Sequence, residues 1–190
     1  MFLTSPGRRC RYPEWKSAAR SSHQHLCMTW SLSSYAQKSP PIEEKGSKNI
    51  VEDIAAVFGC AVGEDVEIAS YDNKRIIFIN GHLSGFFIDD TPALTVEGCK
   101  RWNPQKNHVT VDDGAIKFIL NGADVMVPGI TDADTGIKKG DVVWVRDERG
   151  LPLAVGRALM DGEEMRSSGK GKAVENLHHI GDELWELCMQ

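Results

Sequence analysis

No stretch of this 190-residue chain approaches the roughly 18 consecutive apolar residues that a membrane-spanning helix requires, so none is expected. The first residues contain no uninterrupted apolar run of the secretory kind, which argues against export. The five cysteines (Cys10, Cys27, Cys60, Cys99, Cys188) form an odd, scattered set without a single Cys-x-x-Cys pair. A disulfide scaffold needs an even set and a structural zinc site needs close pairs, so reduced thiols in a cytosolic protein are the simplest reading. The segment SSGKGK lacks the first glycine of a phosphate-cradling loop, because Glu164 occupies that position. There is no internal repeat.

What remains is ordinary for a globular protein, 41% hydrophobic and 26% charged, with room for one medium domain or two small ones. The charge is unevenly placed. Residues 1–50 carry eight Lys/Arg and three Asp/Glu, a net of +5, which leaves −10 on residues 51–190. A body this acidic cannot hold a nucleic acid by wholesale phosphate neutralisation, since that affinity scales with the cations engaged. It would need a local basic patch, backbone donors and shape.

Residues 1–48 combine Ser-rich and Pro-rich pieces with little periodicity and read as a basic, disordered extension. Their Arg-rich start superficially resembles an organellar transit peptide, and Met28 is an alternative start. Order is expected from about Asn49. Ile50, Ile54 and Val57, with Val51 and Phe58 adjacent, form a helical stripe that stops at Gly59. Strands follow at roughly 65–71, 75–80 and 83–89, punctuated by Asp72-Asn73 and Asn80-Gly81. Asn-Gly favours a type I′ hairpin because both central residues need positive φ. Residues 93–99 are read as a short helix, and RWNPQKN as a linker.

From residue 108 the pattern changes. Val109 and Val111 share one face of a strand, and Asp112 or Asp113 caps a helix carrying Ile116, Ile119 and Leu120 on one side and Lys117 on the polar flank. Gly122 closes that helix in the left-handed manner. Strands are expected near 124–127, 141–147, 152–159 and 172–178, enough for a small closed or half-closed barrel.

The segments VDDGAIKFILNGADVMVPGI, LAVGRALM and GKAVENLHHIGDELW together resemble the archaeal PUA-domain proteins related to the malignant T-cell amplified sequence protein and ligatin. The resemblance covers residues 108–187, and the meander before it is similar in position to that family's pre-PUA domain. It implies an α+β protein in which the extension (1–48), read as disordered from its composition alone and outside the resemblance, is followed by a pre-PUA-like α/β meander (49–103) and a PUA β pseudo-barrel (108–187). It further implies non-catalytic RNA binding in translation, with rRNA or tRNA and the small ribosomal subunit as partners, a separate density-regulated-type factor alongside, no cofactor and a cytoplasmic location.

In such modules the first helix, the glycine loop after it and an adjacent strand face RNA. Carried onto this chain, those positions are Lys117, Asn121, Gly122, Ala123 and Asp124, with Met126, Pro128 and Gly129 shaping the turn. A Gly-Ala pair admits close approach of a nucleotide, and Lys117 adds charge one helical turn before Asn121. The plainer alternative is a helix cap beside a solvated lysine. Arg157 faces either an RNA groove or an ion pair with Asp141 or Asp147, while Lys170 and Lys172 sit in a loop suited to phosphate.

His178 and His179 are adjacent on a strand, hence on opposite faces, and read as one packed and one exposed residue rather than a metal pair. Asp89-Asp90 and Asp112-Asp113 fit turn and cap roles. Trp144 and Trp185 read as core, while Phe86, Phe87 and Trp102 are better placed for stacking, with burial as the default. Two further functions fit less well: a targeting subunit for an RNA-modifying enzyme, and a protein-interaction adaptor docking through Phe86-Phe87.

Overall fold

The apolar stripe of the first helix buries Ile50, Ile54 and Phe58 and sets the frame of the N-terminal half. The computed structural model describes residues 37–38, 44–71 and 74–189, so the Asp72-Asn73 turn and most of the expected extension lie outside the described residues. In chain order the elements are β1 (Gln37–Lys38), α1 (Glu44–Phe58), β2 (Val66–Tyr71), β3 (Lys74–Ile79), β4 (His82–Ile88), β5 (Thr91–Leu94) and α2 (Val96–Trp102). The first five strands form one antiparallel sheet in sequence order. Asn80 and Gly81 take φ values of 53° and 74°, the backbone a type I′ turn demands. Gly59, at φ 63°, ends α1 by donating to the Ala55 carbonyl.

Two expectations fail here. The helix begins at Glu44 rather than near Asn49, and Gln37–Lys38 already pairs with β2. The short helix expected over 93–99 splits: residues 91–94 add a strand to β4, and helix begins only after Thr95, whose hydroxyl accepts from the Gly98 amide. The expected linker is in part the end of α2, and Phe58 O accepts from the amides of both Gln105 and Lys106, which pins the rest.

The C-terminal half contains β6 (His108–Val111), α3 (Asp113–Ile119), β7 (Val125–Met126), a 3₁₀ turn (Val127–Gly129), β8 (Ile130–Ala133), β9 (Val142–Asp147), β10 (Pro152–Ala158), α4 (Gly162–Ser167), β11 (Lys172–His179) and α5 (Glu183–Cys188). Its six strands run β7-β11-β10-β9-β6-β8, with only β6 and β9 parallel, and curl around a core containing Val109, Val111, Ile119, Val143, Val145, Ala154 and Val174. The strand expected at 124–127 shrinks to two residues because Pro128 enters a 3₁₀ turn and cannot donate to a ladder. The four-residue β8 and the short helices α4 and α5 were not foreseen.

One apolar cluster crosses the boundary between the sheets. Val142, Trp144 and Val155 from the second sheet and Leu184 from α5 pack with Ile54, Phe58, Ile76, Ile77 and Phe86 of the first half. Trp144 is buried as expected and its indole N–H donates to the Lys106 carbonyl; Trp185 is partly buried against the same cluster. Among the described residues no helix is long and apolar enough to cross a membrane.

Candidate functional site

Asp112 caps α3, its carboxylate accepting from the Ala115 amide at 2.8 Å. The helix buries Ile119, and Ile116 and Leu120 pack on the same core. It then stops through the Gly122 amide on the Ile119 carbonyl, with Gly122 at φ 83°. Phe118 lies off that stripe and is 64% exposed. Across from it, β7 and the 3₁₀ turn run past α3, and Met126 is 47% exposed. Gly129 allows the close approach, since a Cβ there would fall 2.8 Å from that of Ala115.

Between these walls lies a cleft of about 480 Å³ lined by Asp112, Ala115, Phe118, Ala123, Asp124, Met126 and Pro128, among others. Of the residues foreseen, Ala123, Asp124, Met126, Pro128 and Gly129 line it. No cation lines it. Lys117 is exposed on α3, and its carbonyl accepts from the Asn121 side chain at 2.8 Å. Lys170 and Lys172 flank the start of β11, where Gly171 O accepts from the Val127 amide.

Lys172 donates to the Asp124 carboxylate at 2.7 Å. That hydrogen bond lowers the carboxyl pKa of Asp124, helped by the Asn176 amide, and raises that of Lys172. Lys117 and Lys170 have no ion pair among the described residues. The apolar cleft therefore suits a flat, uncharged group, and phosphates would meet the cations outside it.

Asn176 was missed by sequence reasoning, yet it sets the shape of the loop. Its side-chain amide donates to the carbonyls of Ile119 (3.0 Å) and Ala123 (3.1 Å), and its backbone amide to Asp124. Phe118 was also missed, although its signal was visible: an aromatic residue beside Lys117, off the Ile116-Ile119-Leu120 stripe.

Arg157 pairs with neither Asp141 nor Asp147. Its guanidinium donates to Asp89 in the β4–β5 turn, a residue 68 positions away, while Asp147 and Asp141 accept backbone amides in their own turns. Phe86 is buried and meets His178 edge-on, and Phe87 lies under Arg75, so the Phe86-Phe87 pair is no free apolar patch. Trp102 is also partly buried against the core.

His178 and His179 face opposite sides of β11, opposite Val155 and Ala154 respectively. His178 is fully buried and donates through Nδ1 to Asp182, whereas His179 is partly exposed. No group of three or more metal-ligating side chains occurs among the described residues.

The PUA domain model matches residues 107–180. An uncharacterized protein of Methanocaldococcus jannaschii is 50% identical over 124 residues, covering 65% of this chain and 76% of the relative. Translation machinery-associated protein 20 of Schizosaccharomyces pombe is 39% identical over 130 residues, 65% of this chain and 72% of that protein. The chain belongs to the PUA-domain family that includes malignant T-cell-amplified sequence 1 and translation machinery-associated protein 20. The solved structure of a conserved PUA domain protein from Thermoplasma acidophilum matches with TM-score 0.69 at 36% identity, over 78% of this chain and 97% of that one. This PUA protein thus shares with that structure both its curled second sheet and the meander packed before it.

Proposed function

We propose that this PUA protein is a non-catalytic, cytoplasmic RNA-binding factor of the translation apparatus. It takes an unpaired nucleotide in the α3–β7 cleft and phosphates on Lys117, Lys170 and Lys172. The observation that carries this reading is an exposed Phe118 and Met126 that both line a cleft without cations among its described residues, on a body of net charge −10. A nucleobase offers a flat π face to such walls, and base–aromatic stacking tolerates an acidic surround where phosphate binding does not. Asn121 and Gly122 shape the approach, and Arg157 is engaged with Asp89 and does not line the cleft. The name translation machinery-associated protein 20, carried by relatives of this chain, supports a place in translation. The finer proposal that the family resemblance suggests is rRNA or tRNA as ligand, with the small ribosomal subunit and a separate density-regulated-type factor as partners. The domain division of 49–103 and 108–187 is the matching proposal for the chain.

Titration of the full chain onto small ribosomal subunits and deacylated tRNA across a salt series tests this. Saturable binding is expected, weakened by Lys172→Glu and Lys117→Glu, with a shallow salt slope of roughly 0.7 to 0.9 per phosphate engaged. Binding indifferent to both charge reversals would remove the cleft and its rim from the reading.

A further inference from the structure

His179 stands beside the glycine loop and takes no part in the site as drawn so far. Its backbone amide donates to Asp182 at 3.1 Å, and its ring Nδ1 lies 3.0 Å from the Ile180 carbonyl. A carbonyl only accepts, so Nδ1 carries the proton, and the neutral ring presents Nε2 as a bare acceptor. That nitrogen points at the loop: a Cβ added to Gly122 would lie 3.2 Å from it. Gly122, at φ 83°, leaves Nε2 uncovered where any other residue would crowd it. Among the described residues Nε2 has no hydrogen-bond partner, and the ring is partly exposed. Asn121, Gly122 and Ala123 follow α3 directly, so the acceptor sits at the edge of the surface assigned to RNA.

We propose that His179 is a further RNA-binding residue, accepting through Nε2 a hydrogen bond from a neutral donor of the bound nucleotide. The donor is a ribose 2′-hydroxyl or a base amino group. This rests on the cleft being the RNA site. The lysines attract phosphate without regard to the sugar, whereas a fixed acceptor beside a glycine loop selects for a donor. A 2′-hydroxyl is the group that separates RNA from DNA at such a position. The ring is held for this from two sides, by the Ile180 carbonyl and by the backbone tie to Asp182.

The test uses the full chain and three ten-nucleotide single strands: an oligocytidine RNA, its all-deoxy counterpart, and an oligouridine RNA, which lacks any base amino group. His179→Phe is expected to weaken binding of the oligocytidine RNA by about fivefold while leaving unchanged the affinity for whichever probe lacks the donor. An unchanged deoxy probe assigns the hydroxyl, and an unchanged uridine probe assigns the amino group. His179→Gln, which keeps an acceptor, should recover part of the loss. Two-bond ¹⁵N correlation spectra of the wild-type ring should show the Nδ1–H tautomer, with the Nε2 resonance moving on addition of RNA. Equal loss on all three probes, or an Nε2 resonance that ignores RNA, overturns the proposal. If the wild-type chain binds RNA in a manner sensitive to Lys172→Glu but blind to His179→Phe, the cleft stands and His179 falls. No wild-type binding to any probe overturns both.

Discussion

The guanidinium of Arg157 on β10 donates to the carboxylate of Asp89, tying the second sheet to the β4–β5 turn of the first. Asp89 holds its turn with φ 54° and is largely exposed, while its carbonyl accepts from Arg75. An exposed pair of this kind contributes below about 1 kcal/mol. Arg157→Ala should therefore lower the unfolding free energy by no more than that, measured by urea titration, and leave RNA affinity within twofold. A tenfold loss of RNA affinity with unchanged stability would instead put the guanidinium on the ligand.

Phe118 projects from α3 into solvent, so its removal should barely affect folding, within about 0.5 kcal/mol. If a base stacks on it, Phe118→Ser should cost about 1–3 kcal/mol of binding to single-stranded RNA, roughly 5- to 150-fold in Kd. Titration by fluorescence anisotropy reads this directly. Unchanged affinity would leave the cleft without an aromatic role.

Asn176 ties the end of α3 to the loop below it, and its own Oδ1 is buried without a partner among the described residues. Replacement by Ala strands two carbonyls, at a cost of about 1–3 kcal/mol each if neither finds water. Asn176→Ala should lower the melting temperature and speed amide exchange at residues 120–124 ahead of the rest of the sheet. Uniform acceleration everywhere would mean that the clamp is not local.

Burial opposes ionisation of Asp182, but hydrogen bonds from His178 and from the Trp185 and His179 amides outweigh it and hold its carboxyl below the ordinary range. On acidification the unfolded chain therefore protonates at this position first. The stabilisation is complete above the unfolded value of about 3.9 and is lost as pH falls through the lower folded value. Asp182→Asn should be less stable than wild type at pH 7 and should lose less on going from pH 5 to pH 3. Parallel pH profiles would show that this carboxylate is not the acid-sensitive contact.

Much of the fold was legible locally. The helical stripe of Ile50, Ile54 and Val57 with Phe58 adjacent, of which Ile50, Ile54 and Phe58 are the buried members, the Asn80-Gly81 turn, the cap at Asp112 rather than Asp113 and the Gly122 stop each depend on a few neighbouring residues. What was missed depends on distant partners. Thr91–Leu94 is a strand because β4 accepts it, and Ile130–Ala133 is one because β6 does. Asp89 finds Arg157 from the other sheet, and nothing near Arg157 in sequence reveals it. The loop residues that line the cleft could be named in advance, whereas the clamp by Asn176, more than fifty positions along, could not.

The cluster joining Val142, Trp144, Val155 and Leu184 to Ile54 and Phe86 leaves little freedom for a swivel between the two sheets. Whatever the first half touches is then held at a set angle to the cleft, as by a carpenter's square. A large target must already offer its two contact points at that spacing, and the protein gives up little motion in meeting them. One that does not would be gripped at one end only.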